Sequence, residues 1–205
     1  MIAILDYGVG NLFSLRSSFA AIGADAVVTA DPSVIRAADK LILPGVGAFE
    51  DAARKLRQSG LDLVLKQEAA NGKPLMGICL GMQLLFEKSY EYGEHEGLGL
   101  LKGSVMPFSG RIAPSYKIPH IGWNKLSILK DVPLFRYTNE GDFVYFVHSF
   151  FAELNPEHTA ASTEYGISFS AAVAKNNIYG CQFHPEKSGK VGLGILRGFC
   201  EAEGL

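Results

Sequence analysis

Residues 75–86 read LMGICLGMQLLF, and the fold follows from how this stretch divides. Leu75–Ile78 is an apolar run behind the turn signal Asn71-Gly72, as expected of a buried strand. From Leu80 onward, Leu80, Leu84 and Leu85 fall at helical spacing, with Glu87-Lys88 after them, which predicts a helix. Cys79 stands at the corner, flanked two residues away on each side by Gly77 and Gly81.

The same alternation runs through the N-terminal half. IAIL (2–5) predicts a strand. A helix starting near Asn11 carries Leu12, Leu15, Phe19 and Ile22 on one face, with Gly23 as its terminator. DAVVTA (25–30) reads as a strand, Asp31-Pro32 opens a short helix, KLILPG (40–45) is a strand ending in a glycine loop, and helical material follows over about 48–71. Strand–helix alternation of this kind builds a mostly parallel sheet covered on both faces. In the second half, glycine and proline punctuate 93–122. IPHIGWNKL, DFVYFVHSFF, FSAAVAKN and IYGCQFH read there as strands with antiparallel pairs, before a last helix from Ser188. No repeat or linker divides the chain, so a single domain over 1–205 is expected.

Composition narrows the partners. The 205 residues are 48% hydrophobic with a formal net charge of −2, which gives no reason to expect nucleic acid or an anionic membrane surface. No apolar run approaches a membrane span. The start, MIAILDYG, lacks a basic n-region and runs straight into a strand, unlike a signal peptide. Cys79, Cys181 and Cys200 are too widely spaced for a disulfide framework or a zinc site. The expectation is a cytoplasmic, reduced setting with no metal and no cofactor.

A lone cysteine is ordinarily a small buried hydrophobe, but the position of Cys79 is that of a nucleophile. A thiol at a helix N-terminus feels the positive end of the dipole, which favours thiolate. G-x-C-x-G is the cysteine counterpart of the G-x-S-x-G elbow, whose oxyanion hole uses the N–H after the nucleophile; here that N–H belongs to Leu80. The base is sought in Gln182-Phe183-His184-Pro185-Glu186, where residues two apart in an extended strand share a side. There the Glu186 carboxylate orients the His184 imidazole. Pro44-Gly45-Val46-Gly47, after the strand LIL, is either a tight turn or a loop offering backbone N–H groups to an anion. Tyr7-Gly8-Val9-Gly10-Asn11 lacks the third glycine of a dinucleotide fingerprint, having Phe13 in its place. His148 reads as a satisfied core residue, and His95 and His158, in polar loops, as solvated. Cys181 and Cys200 read as structural, and Trp123, in IPHIGWN with His120, as core.

The loop PGVG, the elbow GICLGMQLLFE and the pair FHPEKS, in that order, resemble the class I (triad) glutamine amidotransferases over essentially the whole chain. DYGVGNL, LPGVGAF, CLGMQLLFEKSYE, IPHIGWN, YFVHSF and HPEKSGKVGLGILRGF are closest to the branch whose glutaminase docks on a separate (β/α)8-barrel cyclase. Met82 stands where other branches usually have His. The resemblance implies an α/β three-layer sandwich of flavodoxin-like kind around a mixed, mostly parallel sheet. It also implies hydrolysis of L-glutamine by Cys79, His184 and Glu186, with an oxyanion hole from Leu80 and the Gly45, Val46 and Gly47 loop. Gln83, Glu91, Ser149 and Phe150 match glutamine-binding positions. Asn11, Trp123 and Lys187 match interface positions, which gives Trp123 a second reading as a docking residue. In that branch the two chains form a heterodimer, and ammonia passes through the barrel in histidine biosynthesis. The glutaminase is nearly silent until docked, the implied switch being a peptide of the Gly45–Gly47 loop that turns its N–H inward. Two alternatives stand beside this: the same chemistry feeding a sugar-modifying or other synthase, and a non-catalytic scaffold on the same fold.

Overall fold

The strands of the N-terminal half are mostly apolar because the sheet they form is covered on both faces. In β1 (Ile2–Leu5), Ile2 and Ile4 enter one core while Ala3 and Leu5 enter the other. The computed structural model describes residues 1–203. After β1 come α1 (Leu12–Ala21), β2 (Ala26–Thr29), α2 (Pro32–Ala37), β3 (Lys40–Leu43), α3 (Phe49–Gln58), α4 (Leu61–Ala70), β4 (Leu75–Ile78) and α5 (Leu80–Leu84). The second half contributes β5 (Phe86–Ser89), β6 (His95–Glu96), β7 (Leu101–Pro107), β8 (His120–Lys125), β9 (Ser127–Ile128), β10 (Phe143–His148), β11 (Phe150–Ala152), β12 (Thr159–Glu164), β13 (Ser168–Lys175), β14 (Ile178–Cys181) and α6 (Gly189–Cys200).

The main sheet has eight strands in the order β2-β1-β3-β4-β14-β13-β12-β9. Its first five strands pair in parallel and the rest antiparallel. The parallel part thus has the 2-1-3-4-5 order of flavodoxin-like sheets, with β14 fifth. Side chains of α1 and α6, such as Phe19, Ile195 and Phe199, pack on the face that holds Ile4, Ile42 and Met76. Side chains of α2 to α5, such as Ile35, Leu56, Leu65 and Leu84, pack on the opposite face. The remaining strands form a ribbon, β8 with β10, and a smaller sheet, β11-β7-β5-β6.

The helical material expected over 48–71 is present as two helices, because Gly60 takes a left-handed conformation (φ 70°) between them, a region closed to most residues by Cβ crowding. Two expectations need correction. The helix after Cys79 stops at Leu84, and Phe86–Ser89 is a strand beside β7. Its last carbonyls are taken by a returning chain, with Leu98 N–H donating to Leu84 O (2.8 Å) and Leu100 N–H to Leu85 O (2.9 Å). DFVYFVHSFF is likewise two strands: it breaks at Ser149, and β10 and β11 join different sheets.

Candidate active site

Three neighbouring parallel strands end side by side, and each delivers a piece of the site at its carboxyl end. The registers Leu43↔Gly77 and Ile78↔Cys181 place Pro44-Gly45, Cys79 and Gln182 at one edge of the sheet. The Cys79 N–H donates to Cys181 O (2.8 Å), so strand pairing holds the corner up to the cysteine itself. Cys79 has φ 55° and ψ −112°, a conformation that non-glycine residues avoid and that persists only when the surroundings enforce it. The enforcement is backbone packing. A Cβ on Gly77 would lie 2.5 Å from Gly81 O, and one on Gly81 would lie 1.8 Å from Leu43 O. Gly45 presses on the same turn, its Cβ position being 2.6 Å from Gly81 N. Gly81→Ala is therefore expected to push the elbow off β3 and cost about 1–3 kcal/mol, read as a lowered unfolding midpoint together with slower alkylation of Cys79. An unchanged midpoint would mean the corner is not set by this contact.

His184 leaves the sheet beside Cys79. Its N–H donates to Tyr145 O (2.9 Å), which ties it to β10. The pair expected from strand alternation meets in a different way: Pro185–Lys187 is a 3-10 turn, started by the proline, and the turn swings the carboxylate under the ring. His184 Nδ1 lies 2.9 Å from Glu186 Oε1, with both side chains almost fully buried. Glu186 Oε2 is buried with no partner among the described residues, so the carboxylate's field falls on the imidazole. Burial opposes a charge on His184, but hydrogen bonding to Cys79 and Glu186 outweighs it and raises the pKa to about 10. The imidazolium thus persists at neutral pH. Because the folded value exceeds the ordinary 6.5, this contribution to stability is complete below about 6.5 and is lost as pH rises through about 10. The stability gap between wild type and His184→Gln should shrink over that window in denaturant titrations. A gap independent of pH would contradict it.

In front of this pair lies a cleft of about 320 Å3. Val46, Gly47, Leu80, Gln83, Glu91, Ser149, Phe150 and Lys187 all line it with Cys79 and His184. Leu80 is the first residue of α5, so its N–H has no intrahelical acceptor. Gly47 (φ 92°) has open space about it while Gly45 is wedged against the elbow, so the freedom of the loop lies at its far end. Gln83 is nearly buried and donates from Nε2 to Phe150 O (3.0 Å) and to Gln182 Oε1 (2.9 Å). Burial raises the Glu91 pKa against the opposing Phe49 N–H, which donates to its Oε2 (2.8 Å) at the head of α3.

The other expected positions lie elsewhere. Gly45 and Glu186 do not line the cleft, and Glu186 faces a neighbouring groove with Phe13 and Gly189. Asn11 precedes α1, beside a groove lined by Phe13, Pro185 and Gly189. Trp123 is on the β8–β10 ribbon and 52% exposed, which removes the core reading and keeps the docking one. His158 is not solvated: it is fully buried, its Nε2 donates to Lys102 O (2.9 Å), and its ring packs on Phe86. His95 is half-buried, near Glu50. His148 is buried, and burial pushes its pKa down to about 3. The neutral ring donates from Nδ1 to Phe150 O (2.8 Å), so this core histidine also braces the cleft wall.

Two residues escaped the sequence reading. Tyr7 donates its hydroxyl to Pro44 O (2.6 Å) and so anchors the glycine loop; burial and the nearby Cys79 keep it protonated. Gln182 is fully buried, with its Nε2 3.7 Å from Cys79 Sγ. A polar residue inside the apolar run IYGCQF was the only signal available for it. Among the described residues no group of three or more His, Cys, Asp or Glu side chains could hold a metal ion, and no helix is long and apolar enough to cross a membrane.

The family described as glutamine amidotransferase class-I matches residues 3–201. An imidazole glycerol phosphate synthase subunit HisH from Caldanaerobacter subterraneus subsp. tengcongensis is 50% identical over 202 residues, 98% of each chain. The protein of the same description from Sulfurimonas denitrificans is 50% identical over 207 residues, covering 100% of both chains. Among solved structures, a glutamine amidotransferase superposes with a TM-score of 0.75 at 18% identity, over 98% of this chain and 97% of its own. At that identity it speaks to the fold alone.

Proposed function

Since the chain belongs to the class I glutamine amidotransferases, we propose that it works as the glutaminase subunit of an imidazole glycerol phosphate synthase, folded as one amidotransferase domain. The observation that carries the pathway is end-to-end identity of one residue in two to subunits of that synthase. The chemistry follows from the elbow. The Cys79 thiolate attacks the carboxamide carbon of glutamine, forming the S–C bond. The oxyanion is met by the Leu80 N–H and by an N–H of the Gly45–Gly47 loop, of which Val46 and Gly47 reach the cleft; each such donor is typically worth ~10²–10³ in rate. His184 gives its proton to the leaving nitrogen, and ammonia departs as the C–N bond breaks. Neutral His184 then takes a proton from water, whose oxygen attacks the thioester, and glutamate leaves as the C–S bond breaks. Glu186 holds the imidazole through Nδ1 in both half-reactions. Gln83, Glu91, Ser149 and Phe150 surround the amino-acid end of the substrate.

Ammonia released into water at neutral pH is almost wholly protonated and useless as a nucleophile, so the cleft must open onto an acceptor enzyme. The partner in this reading is a separate (β/α)8-barrel cyclase. The surface supports it: Ile121, Trp123 and Phe143 on the β8–β10 ribbon are about half exposed, and the same ribbon supplies Val147 and His148 to the cleft. Lys187 lines the cleft, and Asn11 stands at the start of α1, which packs against the Pro185–Lys187 turn.

The test is glutamate release by the purified chain alone, with the cyclase, and with the cyclase and its ribotide substrate. Turnover should appear only with the complete set. Full turnover by the isolated chain would remove the docking requirement, and a cyclase without effect would remove the pathway. Trp123→Ala should weaken the complex roughly 30-fold, the about 2 kcal/mol of an aromatic hot spot, and unchanged affinity would place Trp123 outside the interface.

A further inference from the structure

The cleft is backed by a run of buried hydrogen bonds that leads from the Phe150 carbonyl through Gln83 and Gln182 to the nucleophile. It begins at the Phe150 carbonyl, which accepts from His148 Nδ1 (2.8 Å) and from Gln83 Nε2 (3.0 Å). The same Gln83 nitrogen donates to Gln182 Oε1 (2.9 Å), and Gln182 Nε2 points at Cys79 Sγ from 3.7 Å. Side-chain amides can ordinarily be turned end for end, but these cannot. A carbonyl oxygen only accepts, so Phe150 forces Gln83 to present its NH2. Gln83 in turn forces Gln182 to present its oxygen, and the Gln182 NH2 is left facing sulfur. Reversing Gln182 would set two NH2 groups against each other and place an oxygen lone pair on the sulfur. Gln182 is fully buried and Gln83 nearly so, so water cannot make up for either fault.

We propose that Gln182 is a further catalytic residue, supplying a hydrogen bond to the Cys79 thiolate, and that Gln83 is a positioning residue that fixes its orientation. A buried N–H aimed at sulfur is complementary to the anion rather than to the thiol, because hydrogen bonds to a charged acceptor are the stronger ones. This gives Gln83 a second task beside glutamine binding. Its NH2 is committed to Phe150 and Gln182, which leaves its carbonyl oxygen for a ligand. The inference rests on Cys79 being the nucleophile of the proposed glutaminase.

The experiment is alkylation of Cys79 in the full chain by iodoacetamide, at about pH 7 and about pH 10, with modification located by peptide mass spectrometry. Near pH 10 a thiol is ionised without assistance. Gln182→Met keeps the shape and removes both polar ends. Its rate at pH 7 should fall about tenfold, as expected for loss of a hydrogen bond to a charged group, while the rate at pH 10 stays at the wild-type value. Gln83→Leu, which frees Gln182 to turn, should show a smaller loss of the same kind. The double variant should be no slower than Gln182→Met, since the two act as one unit. Equal rates for Gln182→Met and wild type at pH 7 would overturn the proposal, and so would an equal loss at both pH values. If Gln182→Met fails to fold, Gln83→Leu alone decides: a loss confined to pH 7 supports the proposal and its absence overturns it. Failure of the parent reading looks different, as glutamine turnover surviving in Cys79→Ala.

Discussion

Cys79→Ala is expected to lower glutamine-dependent synthesis by the assembled complex by on the order of 10⁶-fold, the scale seen when a triad nucleophile is removed. Ammonia-dependent synthesis by the partner should be untouched. The loss is large because no other group can form the thioester: Cys181 is fully buried and burial pushes its thiol well up, while Cys200 closes α6. The fold should survive. Alanine keeps the Cβ that the strained conformation at φ 55° already accommodates, and the 2.8 Å bond from its N–H to Cys181 O is a backbone bond. The assay pairs glutamine with an ammonium salt as nitrogen source. Loss of both activities would show that Cys79 holds the corner together rather than attacking the substrate.

His184→Ala should fall on the same scale as Cys79→Ala, on the order of 10⁶, while Glu186→Ala should lose nearer ~10⁴. The difference lies in what each group does. In the proposed mechanism His184 moves the proton in both half-reactions, and the other histidine of the cleft, His148, is tied by Nδ1 to Phe150 O. Glu186 moves no proton; through its 2.9 Å contact it fixes the ring and stabilises its charge. Without it, the ring keeps its interaction with Cys79, and the His184 backbone N–H keeps its bond to Tyr145 O, which preserve part of the geometry. Single-turnover rates of glutamate formation would measure the two. Equal losses would contradict this difference in roles.

How far this could be read from the sequence depended on whether the signal was local. The elbow was legible because G-x-C-x-G joins an apolar run to helical spacing, and both glycines turn out to be required by backbone contacts under 3 Å. His184 and Glu186 were legible as a pair two residues apart, although the 3-10 turn that joins them was not. What escaped was set by distant partners. Tyr7 matters because Pro44 O comes to it, and Gln182 because Cys79 does. His158 sits in a polar stretch, yet Lys102 O and Phe86 bury it. The helix expected past Leu85 gave way to a strand because residues 97–101 return to take its carbonyls, and periodicity carries no trace of that return.

The most direct test of the account is to quench the complex during glutamine turnover with acid and weigh its peptides. The mass of one γ-glutamyl group is expected on the peptide that carries Cys79, present in wild type and absent in Cys79→Ala. A glutamyl group on any other residue, or turnover by wild type with no trapped group that persists in Cys79→Ala, would contradict it.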